Sequence, residues 1–197
     1  MEHNFKIDYK FNLEDFKKME YIEHLYFSND NITSAEEVER WYRKNNLTCV
    51  GVRNENNEII ASVSILPLKR EIFLKIYENQ MNEADVIAEQ IEEYQDNKTY
   101  YIYLSSISID EKYRNSYMVI TTLLKGCINL FELLISRNIK IEKVMADAST
   151  IHGEKISNKL LKMNFITDTS HKSKIYCKDG ENFIDSVTKI KKYLGEK

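Results

Sequence analysis

Glycine and proline are scarce in this chain, with five glycines and one proline among 197 residues. The glycine-built phosphate cradles are therefore missing: no Gly-x-x-x-x-Gly-Lys-Ser/Thr loop, no Gly-x-Gly-x-x-Gly turn and no Gly-x-Ser-x-Gly elbow occurs. No linker, repeat or low-complexity tract interrupts the chain, and its length suits one domain over 1–197 with a real core. Cys49, Cys127 and Cys177 are odd in number and far apart, and the four histidines are scattered. That spacing offers no disulfide framework and no metal site, and it suits a reducing cytoplasm. The net charge of −3 comes without a concentrated Lys/Arg stripe, so no nucleic-acid partner is expected. The densest basic spot, Lys189-Ile190-Lys191-Lys192, reads as a solvated helix end. The N-terminal MEHNFKIDYK lacks the apolar core of a signal peptide, and no run approaches a membrane span. A soluble, cytoplasmic protein without a membrane partner is the expectation.

What is present is organised around Tyr100–Arg137. Tyr100–Ile109 alternates aromatic and apolar residues and is rich in β-formers, which predicts a strand. A charged turn, Asp110-Glu111-Lys112, follows. From Ile120 the apolar positions Leu123, Leu124, Cys127, Ile128, Phe131, Leu134 and Ile135 make the stripe of an amphipathic helix. A strand feeding a helix through a short turn leaves backbone N–H groups at the helix start, where an anion such as phosphate can bind.

The flanks predict further elements. His3–Phe11 alternates as a first strand. Asn12 is a candidate N-cap for a helix striped by Leu13, Phe16, Met19 or Tyr21, and Leu25. Ser28–Asn31 reads as a loop. Thr33 or Ser34 then opens a helix burying Val38, Trp41 and Tyr42. Leu47–Val52 and Glu58–Leu66 form a hairpin around Asn54–Asn57, and Pro67 ends its second strand. Residues 68–98 carry two helical patterns, Ile72-Phe73-Ile76-Tyr77 and Ala84-Ile87-Ile91-Tyr94. This helical insertion is read as a packing element, with a lid or partner surface over the substrate side as the alternative. Lys140–Ala148 is a strand, His152–Met163 a helix closed by Asn164, Phe165 the start of another strand, and Lys172–Lys178 the last strand. Asp179-Gly180 is a turn, and Phe183–Leu194 is a C-terminal amphipathic helix. The fold class is α/β (α+β): a mixed, mostly antiparallel central sheet of about six or seven strands with helices on both faces.

Two motifs carry a resemblance. Ile107-Ser108-Ile109-Asp110-Glu111-Lys112-Tyr113-Arg114, followed by a helix with Leu123-Leu124, resembles the acetyl-CoA-binding core of the GNAT superfamily of N-acetyltransferases. Lys159-Leu160-Leu161-Lys162-Met163-Asn164-Phe165 resembles the family's Leu-Tyr-Glu-Lys-Leu-Gly-Phe. The order of elements from about Ala61 to Tyr176 agrees with that family. The family's Arg/Gln-x-x-Gly-x-Gly/Ala reads here Arg114-Asn115-Ser116-Tyr117-Met118-Val119, so Tyr117 and Val119 are large where small residues are usual. Leu160 stands where many members carry a tyrosine acid, and Asn164 where glycine is usual.

The resemblance implies an acetyl-CoA cosubstrate held by Ile107, Ser108 and Ile109 on the strand and by the backbone of Arg114, Asn115, Ser116, Tyr117, Met118 and Val119. It also implies transfer of an acetyl group to an amine by direct attack on the thioester, the acceptor being a small molecule or a protein. Such transfer needs a held thioester, a polarised carbonyl, a base and an acid. The strand offers Ser105, Ser106 and Ser108, none a base at neutral pH, although Ser106 could relay a proton through water. His152 stands at a helix start, where a histidine side chain could take or give a proton, and Asp147 lies near the end of its strand; both are candidate bases, each with a plain structural role as the alternative. Tyr101 and Tyr176 are conceivable acids that thirteen tyrosines give no way to single out. The competing reading is a non-catalytic GNAT-fold module that binds a partner or ligand, favoured by Tyr117, Val119 and Leu160. A third is a structural domain of an assembly, which would include a homodimer.

Overall fold

The computed structural model describes residues 4–27, 32–170 and 172–195. Among these residues seven strands form one sheet: β1 (Lys6–Asp8), β2 (Cys49–Arg53), β3 (Ile59–Leu68), β4 (Thr99–Ile109), β5 (Lys140–Ala148), β6 (Asn164–Asp168) and β7 (Lys174–Asp179). Their spatial order is β1-β2-β3-β4-β5-β7-β6. Six α-helices accompany them among the described residues: α1 (Leu13–Glu23), α2 (Ala35–Lys44), α3 (Arg70–Tyr77), α4 (Tyr117–Ser136), α5 (Ile151–Lys155) and α6 (Gly180–Tyr193). Every neighbouring pair is antiparallel except β4 and β5, which the crossover through α4 makes parallel. This is the mixed, mostly antiparallel sheet with helices on both faces that the sequence predicts.

One face is sealed by α4 and α6. Val119, Leu123, Ile128, Phe131 and Leu134 of α4 pack with Phe183, Val187 and Ile190 of α6 over β-strand residues such as Val50, Val63 and Val144 in a single core cluster. Gly126 permits this approach: a Cβ there would lie 2.5 Å from Val50 Cγ1 and 3.0 Å from Ile7 Cγ2. The Tyr9 hydroxyl donates to its carbonyl at 3.0 Å. By length (20 residues) and mean hydropathy (1.7), α4 is apolar enough to cross a membrane, which corrects the expectation that no run approaches that test. Its apolarity has a local use, because its buried side rests on β1, β2, β3 and α6. The helix also starts earlier than its stripe, at Tyr117, capped by Ser116. At the other end of this face α6 follows β7 without the expected turn, and a Cβ on Gly180 would fall 1.9 Å from the Ile141 carbonyl oxygen.

The other face carries α1, α2, α3 and the chain between α3 and β4. Asn12 caps α1 as expected, with Asp15 returning the bond to the Asn12 N–H. The buried stripe is Phe16, Met19 and Ile22, so Met19 rather than Tyr21 faces inward, and Leu25 lies exposed beyond the helix. Ser34 caps α2 and Trp41 is fully buried. Two separate clusters result, one around Trp41, Phe73 and Tyr103 and one around Phe16, Met19 and Cys49. Arg53 pins the N-terminal segment, donating to Asp8 at 2.6 Å and Asp15 at 2.8 Å.

Several expectations need correction. The first strand is confined to Lys6–Asp8, while His3 and the Ser28–Asn31 loop lie outside the described residues. Pro67 does not end β3, which runs to Leu68. Its carbonyl accepts from Glu92 N–H, so its missing N–H falls on that same side and the β3–β4 ladder loses nothing. The Ala84–Tyr94 pattern is not an α-helix but two 3₁₀ turns, Glu83–Asp85 and Ala88–Gln90, with Leu68 bridged to Ile91. Asn79 takes a positive φ of 57° and Asn82 caps the first turn, both stopping helix propagation. Val86 is buried there in place of Ile87, which is exposed, while Ile91 and Tyr94 are buried as the stripe expects. The helix after β5 is five residues of α5 followed by one π-helical turn, Ile156–Leu160. The left-handed residue that closes it is Lys162 (φ 55°), whereas Asn164 already belongs to β6.

Candidate active site

The β4–β5 ladder begins at Thr99↔Lys140 and stops at Leu104↔Ala146. Beyond it Ile107–Ile109 pair with β3 alone and Asp147–Ala148 with β7 alone, so the sheet splits into a wedge. At the split β4 carries a bulge, with Ser105 and Ser106 together opposite Ser64. After the bulge Asp110 N–H turns toward β3, bonding the Ile60 carbonyl at 2.8 Å. Strand alternation then directs the backbone groups of Ile107 and Ile109 to the open side. The Ile109 carbonyl accepts from the Tyr26 hydroxyl at 2.8 Å.

The wedge opens into a cleft of about 150 Å³ walled by α1, α2, the split strands and α5. Its walls include Phe16, Met19 and Trp41, and its polar lining includes Glu23, Glu83, Ser105, Ser106 and Asp147. Glu23 is the last residue of α1 and Glu83 opens the first 3₁₀ turn. The two bulge hydroxyls each find one of these carboxylates: Ser106 donates to Glu23 and Ser105 to Glu83. Glu83 also accepts from the buried Tyr103 hydroxyl at 2.8 Å. Burial pushes the Glu23 carboxyl up to about 7; the Ser106 bond opposes the shift, and the charges of Glu83 and Glu20 add to it. Burial likewise lifts Glu83 to about 7, against the bonds from Ser105 and Tyr103 and with the charge of Asp147 adding. The Tyr103 hydroxyl is held well above its usual range by burial and by Glu83, so it remains a donor. Two carboxyls that change state near neutrality in one cleft are suited to accepting and returning a proton.

Three of the sequence candidates meet at this cleft. Ser106 lies on its floor with its hydroxyl committed to Glu23, Asp147 is the first β5 residue beyond the β4–β5 ladder, and His152 stands exposed at the rim on α5. Ile107 and Ile109 present the open edge. Ser108 does not: it is buried on the β3 side, 3.2 Å from Ser62 Oγ. Among the turn residues, the Arg114 guanidinium lies 5.0 Å over the Tyr26 ring and Asn115 is exposed. Ser116 caps α4 by accepting from Val119 N–H at 3.4 Å, and Ile120 N–H takes the Ser116 carbonyl. That leaves the N–H groups of Tyr117 and Met118 at the head of the helix. Val119 is fully buried in the core, and Met118 is exposed. Tyr117 is 69% exposed and walls a second groove of about 530 Å³ between α4 and α6. This groove also holds Lys162, Lys178, Lys189 and Tyr193. Lys178 is drawn below its usual range by partial burial and by the charges of Lys189 and Lys162.

Glu23 and Glu83 escaped the sequence reading, which found no base on β4 and took His152 and Asp147 as its candidates. The signal available was the Ser105-Ser106 pair, two adjacent hydroxyls in a strand that need acceptors from elsewhere. Among the described residues no group of three or more His, Cys, Asp or Glu is placed to hold a metal ion.

No protein-family model and no curated protein matches this chain. Solved structures do. The GphF GNAT-like decarboxylase, solved in complex with isobutyryl-CoA, superposes with a TM-score of 0.58 at 10% identity, over 89% of this chain and 98% of that one. Ard1 from Thermoplasma volcanium gives 0.54 at 11% identity, over 88% and 94% of the two chains. Arabidopsis thaliana Naa50, in complex with the bisubstrate analogue CoA-Ac-MVNAL, gives 0.53 at 8% identity, over 89% and 98%. Likeness at this identity speaks for architecture alone: the chain has the GNAT fold.

Proposed function

We propose that this protein is an acyl-CoA-dependent N-acyltransferase of the cytoplasm, with acetyl-CoA as donor and a small-molecule or protein amine as acceptor. The observation that carries the reading is the bulged, unpaired edge of β4 beside two carboxyls tuned to neutrality. The fold likeness to proteins solved with isobutyryl-CoA and with a CoA-linked bisubstrate analogue supports it. The chain's own groups fit such a donor. An extended pantetheine arm could lie along Ile107–Ile109 as an added strand, its phosphates at the Tyr117 and Met118 N–H groups. The lysines of the α4–α6 groove supply cations for the remaining phosphate.

The donor supplies a thioester whose carbonyl carbon bonds the amine nitrogen as its bond to sulfur breaks. Glu23 or Glu83, ionised above about pH 7, takes one proton from the arriving ammonium and frees the lone pair that attacks. A strand N–H at the bulge stabilises the carbonyl oxygen as charge builds on it. The nitrogen loses a second proton once bonded, the leaving sulfur takes it, and the carboxyl returns its own proton to solvent. Leu160, 38% exposed where the resembled motif has a tyrosine, offers no proton. That one observation favours the second reading, a module that binds without turnover.

A melting titration with acetyl-CoA, CoA and ATP, run beside a thiol-release assay over an amine panel, separates the readings. Saturation at about 100 times the dissociation constant stabilises by roughly 2.7 kcal/mol, a shift of about 5–10 °C. Shifts with both CoA species but not ATP, together with thiol release, are expected. A shift without release would establish a module that binds CoA without turnover, and no shift at millimolar ligand would refute the acyltransferase and leave the module that binds a partner or another ligand.

A further inference from the structure

The cleft contains more than the proton-handling pair. Thr33 Oγ1 and Trp41 Nε1 both belong to residues that line it, and the two residues are 8% and 1% exposed. Neither atom has a hydrogen-bond partner among the described residues. A buried indole N–H left without an acceptor costs free energy that a bound oxygen can recover. The indole can only donate, so the ligand must bring an acceptor atom. Glu23, Glu83 and Asp147 share the cleft, and three carboxylates attract an ammonium group and oppose an anionic oxygen. At about 150 Å³ the cavity has the size that elsewhere admits a benzene-sized guest, so the part of the ligand that enters is small.

We propose that this cleft selects a primary ammonium carrying an uncharged oxygen acceptor close to the nitrogen, as in an amino alcohol or an amino amide, over a plain alkylamine or an amino acid. The inference rests on reading the cleft as the acceptor site of the acyl transfer. Its four discriminating groups are Glu23 and Glu83 for the ammonium, and Trp41 and Thr33 for the oxygen.

Calorimetric titration at pH 8, on the free protein and on the protein with CoA, tests it with four probes of matched size. Alaninol and sec-butylamine differ by a hydroxyl in place of a methyl, while alaninamide and alanine differ by a neutral amide in place of a carboxylate. Alaninol and alaninamide are expected to bind about tenfold more tightly than sec-butylamine, and alanine more weakly than all three. Trp41→Phe and Thr33→Val should each narrow the alaninol preference while leaving sec-butylamine binding within about twofold, a pattern that general loosening of the fold would not produce. Equal affinity for alaninol and sec-butylamine, tighter binding of alanine, or no binding of any amine would overturn the proposal. Failure of the acyltransferase reading is reported separately by the absence of a CoA melting shift, and the amine ranking remains readable without it.

Discussion

The two faces of the sheet are built to different standards. Under α4 and α6 a single cluster runs from Val50 to Ile190 without interruption, close enough in places that only glycine fits. Under α1, α2 and α3 the packing falls into two clusters, and the cleft with its four hydrogen-bonding acids and hydroxyls lies beside them. Packing on the first face is for holding the sheet flat against its helices. On the second, burial is put to another use: it lifts two carboxyls into the pH range where they can exchange protons. The same desolvation that stabilises Phe131 works against ionised Glu83.

That contrast can be broken from both sides. The largest effect is expected from Glu23→Gln combined with Glu83→Gln, which should lower acyl-transfer rates at pH 8 by about 10²–10⁴ while the melting temperature holds or rises. Rates that stay within a few-fold of wild type would remove both carboxyls from the chemistry. On the sealed face, Phe131→Ala should cost about 3–5 kcal/mol in urea unfolding, with CoA affinity unaltered in the protein that remains folded. Between these lies a pH effect whose sign differs for stability and activity. Folding raises both carboxyls from 4.5 to about 7, so their contribution to stability is whole below about pH 4.5 and is lost as pH climbs through 7. Unfolding free energies from urea titrations should therefore fall between pH 5 and 8 by on the order of 1–3 kcal/mol, and fall less in the Gln variants. Activity should climb over the same interval, since the ionised carboxyl is the base. A flat stability profile from pH 5 to 8 would show that neither group is raised. The smallest effect belongs to the α4–α6 groove: Lys189→Glu should weaken CoA binding severalfold in low salt and less at high salt. Tyr117→Gly should not improve it, because Tyr117 forms part of the groove wall. A gain in affinity would mean that the ring obstructs the phosphates after all.

What could be read in advance divides along the same line. Elements whose neighbours in space are neighbours in sequence were legible: the Asn12 cap, the Asn54–Asn57 hairpin, the stripe of α4 and the strand that feeds it. The two acids were not, because their role depends on the Ser105-Ser106 bulge, to which they are joined by bonds spanning 22 and 83 residues. The Ala84–Tyr94 segment shows why periodicity alone misleads. Its apolar spacing suits a helix, but Asn79 and Asn82 turn the chain twice, and Val86 is buried where Ile87 was expected. Those same turns carry Glu83 into the cleft, so a segment expected as a packing element both packs and contributes to the site. Likewise Asn164 looked like the left-handed residue because asparagine tolerates positive φ, yet Lys162 takes it two positions earlier, where the π-helical turn runs out.

The parallel seam between β4 and β5 has a consequence for how the molecule breathes. Six paired positions are all that join the strands before Ile109 to those after Lys140, and the chain between them must travel the length of α4. Amide protons at the Leu104 end, next to the split, have no strand beyond them to hold the ladder shut. Hydrogen exchange should thus be faster at Leu104 and Ala146 than in the middle of the ladder around Ile102 and Val144, a zipper that frays from the cleft end.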